Sequence, residues 1–352
     1  EFRQKLVKVP FSMAPPVLVE DPHFVFRNHI HRIAVPAPGT LKELASLIED
    51  IASTPLSNRR PLWEAWFISG LQGGRFAIVM KSHHCLADGV SGIESIGDLL
   101  DNEVIATGTH SPSNDTAADA RRPVWGEITY RALLDQWRYQ PGYLNVIGRT
   151  ARNLRRRRKL MATEKALNAL VPGPFEEAPR LKFNGPITAN RSAALGSTSL
   201  AEVKRIKRAL GVTVNDVVVS ACTMGLRQYL IETDDLPDKP LICCQPVSLS
   251  MKGHKGRQPG QGNQVGAMPV RLPVHLSDAA AIVKYVCRAT RASKQVFDEC
   301  FDNLMLDSLG AMPPTLANWT VKGMMGRHFV ERAPTTTNLV ISNLPGPPVP
   351  LY

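Results

Sequence analysis

A chain of 352 residues with 43% hydrophobic content is long for one small domain and matches two domains of ordinary size, each with material for a core. Its formal net charge of +11 favours an anionic partner: a phosphorylated ligand, an acidic membrane surface or nucleic acid. No apolar run approaches the ~20 residues that a membrane-spanning helix requires, which excludes that class.

Residues 1–36 hold short β-like pieces such as "HFVFRNHIHRIAV", in which alternation is partial. In "TLKELASLIEDIAS" (40–53) the apolar positions 41, 44, 47, 48 and 51 have helical spacing, and Thr40 with Glu43 forms a capping box. "LWEAWFIS" and "RFAIVMKSHH" read as two strands joined by the turn "GLQGG". "SGIESIGDLL" starts a second helix, with Ser91 and Glu94 as its capping box. Residues 106–123 are polar and read as an exposed loop or linker.

Helical segments follow to about residue 170, and Pro and Gly at 172–174, 179 and 185–186 break the chain. "SLAEVKRIKRAL" (199–210) is a helix capped by Ser199 and Glu202 and ended by Gly211. "NDVVVSACTMGLRQYLI" (215–231) is a more buried helix capped by Asn215 or Asp216. "LICCQPVSL" and "QVGAMPVRLPV" are strands around a Gly-rich loop at 252–263, "SDAAAIVKYVCRATRASKQV" (277–296) is a long helix, and "TTNLVISNLPGPP" is a strand running into a rigid turn. The pattern is mixed α and β in two blocks, 1–180 and 181–352. Cys85, Cys222, Cys243, Cys244, Cys287 and Cys300 form no CxxC pair and lie mostly in apolar runs, so they read as reduced core residues of a cytosolic protein. No signal peptide is evident, and the start at Glu1 and stop at Tyr352 read as a trimmed chain.

The densest chemistry lies in "KSHHCLADGVSG" (81–92). If alternation continues through "FAIVMKSHH", Phe76, Ile78, Met80, Ser82 and His84 share one face and His83 points the other way. His84 is then expected to point inward. Adjacent strand residues do not readily chelate one metal, and no third ligand stands in a motif such as HExxH, so no metal is expected. An inward histidine followed by Asp88 and Gly89, then a capped helix, is how a general base is built; Asp88 orients the ring or braces the loop. The alternative is a hydrogen-bonded core histidine.

"HHCLADG" fits the HHxxxDG motif of chloramphenicol acetyltransferase-like acyltransferases and condensation domains. The block 55–92, with Pro61, Leu62 and Trp63, resembles bacterial wax ester synthase/diacylglycerol acyltransferases. So do the ND element at Asn215 and Asp216, the strand after Asn263, and the NxPGP turn in "SNLPGPPVPLY". The chain departs from the family at Ser250, where arginine is frequent, and family members usually start earlier and continue past the NxPGP turn.

The resemblance implies two chloramphenicol acetyltransferase-like subdomains with the active-site channel between them. It also implies acyl transfer from acyl-CoA to the hydroxyl of diacylglycerol or a fatty alcohol, with no resident cofactor. His84 is the expected general base; the CoA thiolate leaves without a strong general acid, and no covalent acyl-enzyme on Cys85 is needed. Asn215, Asn263 and a backbone N–H near Gly89 are candidate oxyanion donors. Asp216 and Trp63 complete the candidate substrate-binding set, although helix cap, turn and core roles compete for Asn215, Asn263 and Trp63.

"RTARNLRRRRKL" (149–160) carries seven basic residues and no acid. A solvated face competes there with binding of anionic lipid headgroups or CoA phosphates by Arg155, Arg156, Arg157 and Arg158. No nucleic-acid motif accompanies the run. Cytoplasmic location, with peripheral attachment to the inner membrane face or lipid bodies, is expected. Two other readings stay open: an acyltransferase using carrier-protein thioesters, and a non-catalytic lipid-droplet surface protein.

Overall fold

The structure is a computed structural model that describes residues 2–10, 16–86, 126–127, 130, 134, 142–174, 176–248, 265–300, 312, 314–324, 326 and 331–346. The helix expected from Ser91, the linker at 106–123 and the loop at 252–263 lie outside those residues, as do Asp88, Gly89, Ser250 and Asn263.

Strands β1 (Gln4–Val7) and β2 (Val17–Glu20) pair antiparallel. The first mixed sheet has the order β3 (Ile30–Ala34), β4 (Trp63–Leu71), β5 (Arg75–Ser82); β3 runs parallel to β4 and β5 antiparallel to it. Helix α1 (Leu41–Ser53) crosses from β3 to β4 and carries the expected Thr40–Glu43 capping box. It buries Leu44 and Ile51 against Val35, Ile68 and Leu71, with Ala77 and Val79 of β5 packed on the same cluster. Gly39 makes the entry to α1 possible: its φ is +74°, and a side chain there would strike the carbonyl oxygen of Gly70.

Helices α2 (Gly142–Thr163) and α3 (Lys165–Leu170) lead to the Pro/Gly break. Then come α4 (Leu200–Leu210), ended by Gly211 in the left-handed region at φ 65°, and α5 (Val214–Glu232). The second mixed sheet is ordered β7 (Val265–Leu272), β6 (Leu241–Ser248), β8 (Leu339–Val340), with β6 antiparallel to β7 and parallel to β8. Between β7 and β8 run α6 (Ala279–Cys300) and α7 (Pro314–Met324). As a central strand, β6 is covered on both faces, and successive Leu241, Ile242 and Cys243 are all buried. Leu241 and Cys243 join Val219 and Leu230 of α5 and Val286 of α6 in the larger core.

Packing crosses the expected boundary near residue 180. Leu167 and Val171, in and just after α3, are buried against Ala292, Val296 and Cys300 of α6. Glu176 pairs with Arg271 of β7 at 2.6 Å. Burial opposes ionisation of Glu176, but the Arg271 guanidinium and the Gly173 N–H outweigh it and hold the carboxyl below its usual range. Asn338 ties the start of β8 to two other segments. Its Oδ1 accepts from the Ile242 N–H at 2.9 Å, and its Nδ2 donates to the Pro179 carbonyl and to Asn184 Oδ1.

Only Cys243 and Cys300 are buried; Cys85 and Cys222 are exposed, so the cysteines are not uniformly core residues. Burial pushes the Cys243 thiol up to about 12.

Candidate active site

Trp63 opens β4 opposite Ser82, the last residue of β5, and the ladder continues one step further as the His83 N–H donates to the Leu62 carbonyl at 2.9 Å. The PLW segment is thus the strand on which the histidine pair hangs. Beyond Ser82 the chain turns, with the Leu86 N–H donating to the His83 carbonyl at 3.0 Å. The expected inward direction of His84 is therefore corrected: alternation stops at Ser82, and both His83 and His84 are exposed in the turn. Both faces of β5 are half-buried from Ala77 to Lys81. Ala77 and Val79 meet α1, while Phe76 is 71% exposed. Lys81, on the α1 side, donates to the carbonyls of Ile51 and Thr54 at the end of α1.

His83 Nδ1 accepts from the Cys85 N–H at 3.2 Å, which places the proton of the neutral ring on Nε2 and makes His83 a brace of the turn. Trp63 is buried at 5% exposure, its Nε1 donates to the Phe2 carbonyl at 2.7 Å, and its ring stacks on His29 at 4.7 Å. It is a packing residue of the first block rather than a surface that substrate can reach.

In the second block the N-cap of α5 is Thr213, not Asn215 or Asp216 as expected. Asp216 completes the box, and its Oδ2 accepts from the Thr213 N–H and hydroxyl at 2.9 and 2.7 Å. Its Oδ1 accepts from the Thr290 hydroxyl of α6 at 2.6 Å. At 3% exposure Asp216 joins α5 to α6. Asn215 sits one position earlier, half-buried in the first turn, where its Nδ2 donates to Gln245 Oε1 of β6 at 3.4 Å. Ser199 is the N-cap residue of α4 but makes no side-chain cap bond, and Glu202 pairs with Arg205 instead.

Gln245 escaped the sequence reading. It is 5% exposed, and among the described residues its Nε2 has no hydrogen-bond partner. The available signal was one amide in the otherwise apolar strand "LICCQPVS". In the arginine run, Arg155, Arg156 and Arg158 are exposed, whereas Arg157 is buried and donates to the Pro172 carbonyl at 2.6 Å. Four arginines on one helix point in different directions, and one of them braces the break at 172.

The described contacts tie the histidine turn to the first sheet and Asn215 to the second. The blocks meet at α1, where Ser53 Oγ accepts from the Arg191 N–H at 2.9 Å and Glu49 Oε1 from the Ala193 N–H at 2.8 Å. A surface depression lined by Arg180, Leu181, Leu230, Ile231 and Asp234 contains none of the motif residues. Among the described residues no group of three His, Cys, Asp or Glu side chains could hold a metal ion.

Two mixed sheets with flanking helices, an exposed histidine turn on one and a capped helix start on the other define a mixed α/β protein of chloramphenicol acetyltransferase-like build. The wax ester synthase/diacylglycerol acyltransferase catalytic-domain model matches residues 1–218, and that family's C-terminal-domain model matches 261–352. The chain belongs to this family and is an acyltransferase. It is 36% identical over 331 residues to "Probable diacyglycerol O-acyltransferase tgs2" of Mycobacterium tuberculosis, covering 92% of this chain and 67% of the relative. A wax ester synthase/diacylglycerol acyltransferase from Marinobacter aquaeolei has a solved structure that superposes with a TM-score of 0.62 at 26% identity, covering 100% of this chain and 70% of that one.

Proposed function

We propose that the protein moves a long-chain acyl group from acyl-CoA to the hydroxyl of diacylglycerol or of a long-chain alcohol, with His84 as general base. The observation that carries this reading is the turn at 83–86, which is pinned to the PLW strand and presents His84 to solvent while His83 braces the backbone. An alcohol at neutral pH is a poor nucleophile. The His84 imidazole takes its proton as the oxygen attacks the thioester carbonyl; the C–S bond then breaks, the CoA thiolate leaves, and the imidazolium returns its proton to solvent or thiolate. Charge on the carbonyl oxygen in the tetrahedral intermediate calls for a donor, and the Asn215 amide, at the first turn of α5, is the described candidate.

Arg155, Arg156 and Arg158 offer cations for phosphate, either of CoA or of lipid headgroups. Among the described residues no single helix is long and apolar enough to cross a membrane.

The test is release of free CoA from palmitoyl-CoA with dipalmitoylglycerol, hexadecanol or no acceptor. The expected result is release that depends on acceptor, with ester product in equal amount. Release independent of acceptor, or none with any alcohol, contradicts the reading.

A further inference from the structure

Strand β6 carries one amide among apolar residues. Leu241, Cys243, Gln245 and Val247 alternate onto one face, where Leu241 and Cys243 meet Val219 and Leu230 of α5 and Val247 packs against the same core. Asn215 lies four residues before Val219 and so on the same side of α5. The packing of α5 on β6 therefore ends at two amides, with Asn215 Nδ2 donating to Gln245 Oε1 at 3.4 Å. A hydrogen bond of that length contributes little to stability. The other end of the Gln245 amide works against it. At 5% exposure its Nε2 has no partner among the described residues, and a buried donor left unpaired is destabilising. An apolar side chain, as at 241, 243 and 247, would pack there without that penalty. Folding alone does not account for glutamine at this position.

We infer that Gln245 is a positioning residue for acyl transfer: its Oε1 holds the Asn215 amide and leaves the second N–H of Nδ2 for the carbonyl oxygen of the reacting thioester. The inference deepens the proposed function and rests on its assignment of Asn215 as donor to the tetrahedral intermediate. An Asn amide has two N–H groups on one nitrogen and an acceptor oxygen on the other side. Left to rotate, it would present that oxygen to the developing negative charge for part of the time. With one N–H engaged by Gln245, the amide plane is set before the reaction, which is where a preorganised donor surpasses water. Gln245 is itself held in place, its backbone paired with Met268 of β7 and its side chain buried. It acts through Asn215, not on substrate.

The test is a double-mutant cycle on the full chain with Gln245→Met, Asn215→Ala and both together, read as CoA release from palmitoyl-CoA with hexadecanol. Methionine has nearly the length of glutamine and lacks both polar ends. Asn215→Ala should lower kcat by ~10²–10³, as for loss of one oxyanion donor. Gln245→Met should lower kcat by about 10- to 100-fold, the effect of a misplaced reacting group, with the KM for palmitoyl-CoA unchanged. On top of Asn215→Ala it should have no further effect. The melting midpoint of Gln245→Met should equal or exceed that of wild type, since the unpaired donor is gone; a merely structural role would lower the midpoint and leave kcat alone. Wild-type kcat in Gln245→Met, or an equal loss in both backgrounds, overturns the inference while the donor role of Asn215 stands. Wild-type kcat in Asn215→Ala removes that role and the inference with it. One readout does not depend on turnover. By NMR, the Asn215 side-chain amide protons, assigned by their loss in Asn215→Ala, should exchange with water faster in Gln245→Met. Unaltered exchange overturns the inference, whereas a wild type that releases no CoA counts against the acyl-transfer reading.

Discussion

At the scale of single residues, several polar groups nearest the family motifs brace the fold. Asp216 receives three donors, two from Thr213 and one from Thr290, so its chemistry is spent on holding α5 against α6. Thr290→Val removes one donor from a buried carboxyl group without changing the side-chain volume much. Chemical denaturation should show a loss of about 1–3 kcal/mol with turnover per folded molecule unchanged. A fall in kcat at unaltered stability would show instead that Asp216 acts on substrate. The same kind of bracing explains what the sequence could not reveal about Trp63 and Arg157. Their partners are the carbonyls of Phe2 and Pro172, which any residue type could supply. Nor could it reveal that Asn338 joins three segments, because two of its partners lie more than 150 positions away.

At the scale of elements, local rules worked where the signal was local. Thr40 and Glu43, three apart before an apolar helix, form the capping box that their spacing predicts, and Gly211 ends α4 in the conformation that glycine adopts at low cost. The same logic chose the wrong cap for α5, because Thr213 with Asp216 is a capping box in which aspartate stands for glutamate. His84 shows the other failure. Period-two alternation assigns faces only while the strand lasts, and β5 ends two residues before it. The turn into α1 gives an element-scale prediction. Gly39→Ala must place a methyl group against the Gly70 carbonyl at positive φ, so thermal melts and denaturation should show a loss of at least about 1–3 kcal/mol. An unaltered midpoint would mean that the loop between β3 and α1 relaxes freely.

At the scale of the whole molecule, two mixed sheets each carry one part of the candidate site, and the segment at 191–193 hydrogen-bonds to α1 between them. The alternation of strands and helices made the fold class legible. The packing of α3 on α6 was not, since apolar positions at helical spacing name a buried face but not its partner. The central claim concerns the exposed turn at the end of β5: one imidazole braces it and the other performs the proton transfer. Its most direct test is acceptor-dependent CoA release by His84→Ala, measured beside wild type with a thermal melt of each. The account predicts a loss of ~10²–10⁴ in kcat at an unchanged melting midpoint. A His84→Ala protein that turns over at the wild-type rate would contradict it.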